Sequence, residues 1–90
     1  MIVRYKKLRE DAVAPFRGSE YAAGYDLTAV SQEYEPKTGT VCYGTGLAFE
    51  IPEGYAGFIF PRSSVFRIGQ LLTNCVGVVD SDYRGEVCVI

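Results

Sequence analysis

The chain contains no histidine among its 90 residues, and this absence removes several kinds of chemistry. A Ser-His-Asp or Cys-His nucleophile system needs an imidazole to accept the proton of the nucleophile. A zinc site built from cysteine and histidine also loses half of its usual ligands. Any general base that works near neutral pH must therefore be a carboxylate, a tyrosine or a lysine.

Cysteine is scarce, with only Cys42, Cys75 and Cys88. The three are far apart, their number is odd, and two stand in apolar, strand-like runs, which argues against a zinc site with paired cysteines. Buried free thiols in a reducing compartment are the simpler interpretation. The first residues lack a signal-peptide core, and no apolar run has the length needed to cross a bilayer. We therefore expect a cytoplasmic protein with no membrane partner.

An excess of positive charge is also missing. Nine Lys and Arg residues stand against eleven Asp and Glu residues, for a net charge of -2. A nucleic-acid surface needs a basic excess, so no nucleic-acid partner is expected. A small phosphorylated ligand needs only a local basic cluster. Residues 1–90 predict a single domain that is marginally stable alone, and oligomerisation is one usual remedy when disulfides are absent.

No segment shows a sustained period near 3.6 residues, and glycine or proline interrupts almost every stretch. Recurrent turn signals between short apolar runs are typical of an all-β sandwich or barrel. Gly44 and Gly46 indicate a bulge or a close approach of two backbones. The alternation predicts strands at residues 2–7, 26–30, 40–51 and 55–60, turns at 31–39 and 51–54, and a short helical turn or loop at 65–70.

The polar segment Asp-Ser-Asp-Tyr-Arg-Gly at 80–85 stands between two valine-rich runs, which predicts a hairpin over residues 74–90. A tight hairpin needs only two turn residues, and this segment carries much more side-chain chemistry. The four residues at 87–90 are apolar and strand-like. Since an unprotected apolar edge invites pairing with other chains, we expect the native chain to continue past Ile90.

Three segments stand out: Ala-Gly-Tyr-Asp-Leu at 23–27, Pro-Arg-Ser-Ser-Val at 61–65, and Gly-Val-Val-Asp-Ser-Asp-Tyr-Arg-Gly-Glu at 77–86. Each has an ordinary interpretation as a strand entry, a plain turn or a surface ion pair. Taken together, two serines and an arginine suit phosphate oxygens. Carboxylates on two other segments suit Mg²⁺-bound water or the activation of a water molecule. The set favours a site for a magnesium nucleotide.

These segments resemble three of the five motifs of the trimeric all-β deoxyuridine triphosphatase (dUTPase) family, in order and over residues 3–90. The third motif, at 77–86, is long and highly specific. The resemblance implies a jelly-roll-like barrel, here incomplete at its C-terminus, and a homotrimer that binds dUTP. The family's fourth motif and its glycine-rich C-terminal arm, which reaches the site of another subunit, have no counterpart in these 90 residues.

The resemblance also implies roles for individual residues in the hydrolysis of dUTP to dUMP and pyrophosphate. Asp80 is expected to be the general base for the attacking water. Tyr83 would pack under the deoxyribose and exclude a ribose 2′-hydroxyl. Asn74 and the backbone that follows it, at Gly77 and Val79, would bind the edge of the uracil.

The phosphate chain has its own expected contacts. The resemblance implies that Ser63 bonds near the bridge between the α- and β-phosphates, with support from Arg62 and Ser64. Mg²⁺ is the implied cofactor, with Asp26 in its outer shell through water.

Two other functions stay open on the sequence. A dCTP deaminase shares the fold and a Pro-Arg-Ser-Ser segment, although that family carries a Pro-Gly-aromatic turn where this chain has residues 80–83. Glu86 keeps this alternative open. A truncated homologue could instead bind nucleotide or assemble with a partner without turnover, with the apolar run at 55–60 as one candidate contact surface.

Overall fold

A computed structural model describes the backbone of residues 1–90 and every side chain except that of Phe66. The described backbone forms strands and one 3₁₀ helix, Ser63–Ile68, so the predicted all-β class is confirmed. No helix in this described chain is long and apolar enough to cross a membrane. The strands are β1 (Arg4–Lys7), β2 (Ser31–Glu35), β3 (Thr40–Gly44), β4 (Leu47–Glu50), β5 (Gly57–Ile59), β6 (Gly77–Val79) and β7 (Cys88–Val89).

The strands form three small antiparallel sheets. Strand β1 pairs with β4, from Arg4 opposite Glu50 to Lys7 opposite Leu47. Strand β3 lies between β2 and β7 in the second sheet. The third sheet is the β5–β6 ladder. The strands predicted at 2–7 and 55–60 are confirmed with narrower limits. The strand predicted at 40–51 is divided into β3 and β4, because Thr45 and Gly46 separate them.

The strand predicted at residues 26–30 is wrong, and the turn predicted at 31–39 is confined to residues 36–39. Residues 26–30 make only a single bridge, between Asp26 and Phe16. The next residues form β2, which pairs along its whole length with β3. Its polar sequence reflects exposure: Glu33, Tyr34 and Glu35 all face solvent. An exposed strand at the edge of a sheet lacks the apolar alternation on which the prediction depended.

The hairpin predicted over residues 74–90 is also wrong. Both strands exist, but they do not pair with each other. Strand β6 pairs with β5, whereas β7 pairs with β3. Residues 80–85 therefore connect two different sheets, which explains why this connection is longer than a hairpin turn requires.

A small core contains residues of the first and third sheets and of the segments next to β3 and β7. Its buried apolar side chains are Ala12, Leu47, Ala48, Val79 and Val87. Thr45 is the buried polar residue of this core, and its hydroxyl donates to the Val87 carbonyl at 2.7 Å and accepts the Leu47 N–H at 3.2 Å. The backbone adds bonds from Thr45 N to Val87 O (3.1 Å) and from Val87 N to Leu47 O (2.9 Å). The corner between β3 and β4 is thereby joined firmly to the segment that follows residue 86.

One face of the β5–β6 ladder is largely exposed in the part of the chain that the structure describes. Phe58 and Val78 are directly opposite each other in the ladder, and they are 62% and 60% exposed. Phe60, two residues further along, is 66% exposed. On the opposite face Val79 is buried in the core. Both faces of the sheet therefore carry apolar side chains, and the face with Phe58 and Val78 is the more exposed of the two.

Candidate nucleotide site

The segment at residues 80–85 is held in shape by its own hydrogen bonds. The Tyr83 N–H donates to the Asp80 carbonyl at 3.1 Å, which closes a turn. Arg84 Nη1 donates to the carbonyls of Ser81 (2.6 Å) and Tyr83 (3.2 Å). Arg84 thus acts inside the loop and stabilises its curvature, since each of these carbonyls gains a charged donor.

Two contacts restrict the position of the Tyr83 side chain. Its hydroxyl donates to the Glu86 carbonyl at 2.9 Å. Gly85 lies beneath the ring, and a Cβ atom at that position would be only 2.6 Å from the Tyr83 hydroxyl. A side chain at position 85 would therefore push against the tyrosine, and one of the two groups would have to shift. Tyr83 remains 45% exposed, so its aromatic face is available to a ligand.

A second group of predicted residues meets at the rim of a cleft of about 630 Å³. Arg62 Nε lies 3.4 Å from Asp26 Oδ1, and Ser64 lines the same cleft. Two bonds between the backbones of Asp26 and Phe16, of 2.7 and 3.3 Å, hold the carboxylate's main chain in place. The Asp26 side chain is only 21% exposed, whereas that of Arg62 is 71% exposed and can move toward an anion.

The remaining predicted residues lie along the turn and ladder that lead to the loop. Asn74 is exposed in a turn, next to Cys75, which has a positive φ of 64°. Gly77 pairs with Ile59, and a Cβ atom at Gly77 would approach the Ile59 Cβ to 3.3 Å. Val79 is buried, so only its backbone can reach a ligand.

The ladder separates the two groups of predicted residues. Val79 pairs with Gly57 at one end of the ladder, and Gly77 pairs with Ile59 at the other end. Asp80 therefore follows the first end, whereas Arg62 follows the second. At about 3.3 Å per residue, the chain from Gly57 to Arg62 spans up to about 17 Å when extended. Asp80 and Tyr83 do not line the cleft that Asp26, Arg62 and Ser64 share, and Ser63 does not line it either.

The cleft also contains residues that the sequence did not indicate. Gln70 Nε2 donates to the Tyr43 hydroxyl at 3.2 Å, which ties the segment after the 3₁₀ helix to β3. Apolar side chains of Leu71 and Ile90 complete the wall. No pattern in residues 65–72 predicted these contacts, because the contacts depend on how the segment folds back over the second sheet.

Among the described side chains, no group of three or more Asp, Glu, Cys or His residues is placed to hold a metal ion. A magnesium ion often keeps several waters and binds through one or two carboxylates plus the phosphates of a substrate. Asp26 fits that arrangement as a partly buried carboxylate beside a basic group at the rim of the cleft. These residues therefore fit an ion that arrives with a nucleotide.

Comparison with known proteins identifies a family over nearly the whole chain. A family model described as dUTPase matches residues 10–90. The chain belongs to the dUTPase family. Deoxyuridine 5'-triphosphate nucleotidohydrolases from Paramecium bursaria Chlorella virus 1 and from Oryza sativa subsp. japonica are 44% and 42% identical to it. These alignments cover 94% and 99% of this chain but 60% and 52% of the two relatives, so the chain spans a little over half of their length.

Solved dUTPase structures share the fold. A mutant dUTPase from phage phi11 of S. aureus, described for the coordination of a structural Mg(II) ion, superposes with a TM-score of 0.81 at 28% identity. That match covers 99% of this chain and 57% of the phage chain. A mutant dUTPase of Staphylococcus bacteriophage 80alpha, solved with dUpNHpp, gives a TM-score of 0.79 at 27% identity and covers 98% and 52% of the two chains. The predicted dUTPase fold is thereby confirmed.

Proposed function

We propose that this dUTPase-family chain acts in the hydrolysis of dUTP to dUMP and pyrophosphate. The observation that carries the proposal is the ordered loop at residues 80–85, in a chain whose relatives are named as dUTP nucleotidohydrolases. The loop offers an exposed carboxylate, Asp80, three residues before a fixed and half-exposed tyrosine. A general base and a rigid aromatic surface are thus available on one short segment.

Asp80 is proposed as the general base. An aspartate carboxylate can accept a proton from water directly and needs no neighbouring imidazole. Asp80 would take a proton from water as the water oxygen bonds to the α-phosphorus. The bond from the α-phosphorus to the bridging oxygen breaks, and pyrophosphate leaves with that oxygen. The products are dUMP and pyrophosphate, and the proton on Asp80 returns to solvent.

The phosphate chain is proposed to bind at the rim of the cleft. Arg62 would leave Asp26 for a phosphate oxygen, since a guanidinium donates two parallel bonds to such a group. Ser63 would bond near the α,β-bridge, and Ser64 would support the chain from inside the cleft. Asp26 would then hold Mg²⁺ through water. When bound, Mg²⁺ neutralises charge on the triphosphate and orients it.

Specificity for a deoxyuridine nucleotide is proposed to come from the turn and the loop. Asn74 and the backbone of Gly77 and Val79 would hydrogen-bond to the uracil edge. A site built for such bonds rejects a mismatched base, because its polar groups would remain unpaired. Tyr83 would pack under the deoxyribose. The bond from its hydroxyl to the Glu86 carbonyl would help to hold the ring in place against a 2′-hydroxyl.

A homotrimer is part of the proposal, and the geometry of the β5–β6 ladder supports it. Asp80 and Arg62 follow opposite ends of the ladder, although both must act at one triphosphate. Contact between copies would bring the loop of one chain to the Arg62 and Ser63 segment of another. The solvent-accessible surface is 6894 Å², against about 5200 Å² expected for a monomer of this mass. The excess of about 1700 Å² is surface that this chain alone leaves exposed.

Phosphorus NMR of dUTP with Mg²⁺ and the purified 90-residue chain tests the proposal. We expect pyrophosphate and dUMP from dUTP, and no turnover of dCTP. Asp80→Asn should lower the rate by a factor of 10² to 10⁴, the usual contribution of a general base. Asp82→Asn is the matched control, because it removes a carboxylate from the same loop and should retain the wild-type rate.

Other outcomes identify the alternatives. Ammonia released from dCTP would establish a deaminase and overturn the proposal. Binding of dUTP without turnover would leave recognition to this chain and contradict its hydrolytic role. A folded sample with neither binding nor turnover would remove the nucleotide assignment altogether.

A further inference from the structure

We propose that Glu86 is the positioning residue of the loop at residues 80–85: it ties Tyr83 to the corner between β3 and β4. The inference deepens the proposed function, because Tyr83 is the residue assigned to the deoxyribose. Glu86 itself has no contact with the cleft that Asp26 and Arg62 share. Its effect on a nucleotide would therefore pass through the tyrosine.

The side chain of Glu86 is bound to the corner rather than turned to solvent. Its Oε2 accepts the Gly46 N–H at 2.8 Å, a partly buried bond that links residues 40 positions apart. Gly44 provides the room for this carboxylate. A Cβ atom at position 44 would lie 2.6 Å from Glu86 Oε2 and 2.5 Å from Ser31 Oγ. Only glycine at position 44 leaves the slot open.

The main chain of Glu86 makes the second half of the link. Its carbonyl accepts the Tyr83 hydroxyl at 2.9 Å, while Gly85 leaves space for the ring. One residue therefore contacts the corner through its carboxylate and the tyrosine through its carbonyl. A shift of Glu86 must displace the acceptor of the Tyr83 hydroxyl.

The corner is a firm support because Val87 continues the attachment. The Thr45 hydroxyl and N–H both donate to the Val87 carbonyl, and the Val87 N–H donates to Leu47. Thr45, Leu47 and Val87 are all buried. Glu86 is thus the first residue after the exposed loop that is bound to the β3–β4 corner.

The same contacts favour a positioning role for Glu86 over a catalytic one. A catalytic carboxylate would have to point toward the substrate and exchange a proton with it. The Glu86 carboxylate instead accepts a backbone N–H at the β3–β4 corner. A neutral side chain with an amide oxygen can accept the same bond, so the role depends on hydrogen bonding and not on charge.

The test compares Glu86→Ala with Glu86→Gln in the full chain. Two quantities are measured: the Kd for dUpNHpp with Mg²⁺, and the hydrogen-exchange rate of the Tyr83 amide, which donates to Asp80. Because the partly buried Gly46 N–H loses its acceptor, Glu86→Ala should raise Kd at least about tenfold and accelerate exchange at Tyr83 by a similar factor. Glu86→Gln should stay within about threefold in both. Amides of the β1–β4 ladder, measured well below the Tm, should not change.

Gly44→Ala is the second variant, because its methyl group would occupy the carboxylate's slot. It should reproduce both effects of Glu86→Ala with the Glu86 side chain still present. Equal values for Glu86→Ala and wild type, or failure of Glu86→Gln to restore them, would overturn the inference. If wild-type protein does not bind dUpNHpp, the proposed function fails; unchanged Tyr83 exchange in Glu86→Ala would then refute the positioning role independently.

Discussion

At the scale of single residues, glycine makes room for polar contacts at two places. Gly44 leaves the slot for the Glu86 carboxylate, and Gly85 leaves space for the Tyr83 hydroxyl. The sequence predicted a bulge or a close approach of two backbones at Gly44 and Gly46. Gly46 has a φ of 68°, whereas Gly44 is approached by the side chains of Ser31 and Glu86 instead of a second backbone. The contact with Glu86 was not predictable, because that residue lies 42 positions further along the chain.

Cys88 provides a prediction at this scale. Desolvation raises the pKa of its thiol from 9.0 to about 11, with further contributions from Cys42 and Glu86 nearby. We expect the rate of Cys88 alkylation by iodoacetamide, followed by mass spectrometry from pH 7 to 12, to reach its midpoint near pH 11 in the folded chain. In urea the midpoint should return to the ordinary value near 9. A midpoint near 9 without urea would contradict the desolvation.

The same shift has a consequence for stability. The folded pKa is higher than the unfolded one, so the folded state holds its proton between pH 9 and pH 11 while the unfolded state loses it. The contribution of the neutral thiol to stability is therefore complete below about pH 9. It is lost as the pH rises through about 11.

At the scale of secondary-structure elements, the sequence predicted the existence of most strands but not their partners. Strands β6 and β7 flank one polar segment, yet each pairs with an earlier strand in a different sheet. Local alternation carries no information about such a choice, which depends on packing against the core. The error at residues 26–35 has the related cause that an exposed edge strand needs no apolar face.

Thr45→Val tests the junction between β3, β4 and β7. The valine keeps the shape but removes the hydroxyl that donates to Val87 and accepts from Leu47, leaving a buried N–H without its acceptor. The free energy of unfolding in urea should fall by about 2 kcal/mol. Thr38→Val is the matched control: Thr38 is exposed at a turn, and the change should stay within about 0.5 kcal/mol. A similar small effect at Thr45 would show that the junction contributes little.

At the scale of the whole molecule, the chain exposes more surface than its mass requires, and much of it is apolar. Among the described side chains, five apolar ones are buried, so the core of this chain is small. The three segments that carried the site prediction do fold into ordered local structures. Their separation within one chain was not predictable from their order in sequence, because it results from the direction of the β5–β6 ladder.

Sedimentation equilibrium checks the proposed assembly. Three chains of 9.9 kDa predict a particle of about 30 kDa. Phe58→Glu should shift the mass toward the monomer, since it places a charge on the uncovered face of the ladder. Tyr34→Glu is the control, because Tyr34 is also 62% exposed but stands between Glu33 and Glu35 on a solvated strand. A wild-type monomer, or dissociation by Tyr34→Glu alone, would contradict this surface assignment.

The pairing of β1 with β4 and of β3 with β7 also bears on the speed of folding. Arg4 meets Glu50 and Tyr43 meets Val89, so each ladder closes a loop of 46 positions. The entropy of closing such loops is lost before the strand contacts can compensate for it. Chains dominated by distant pairings fold in milliseconds to seconds rather than microseconds. During that interval the apolar strands are open to pairing with other chains, so dilute conditions should favour recovery of the native fold.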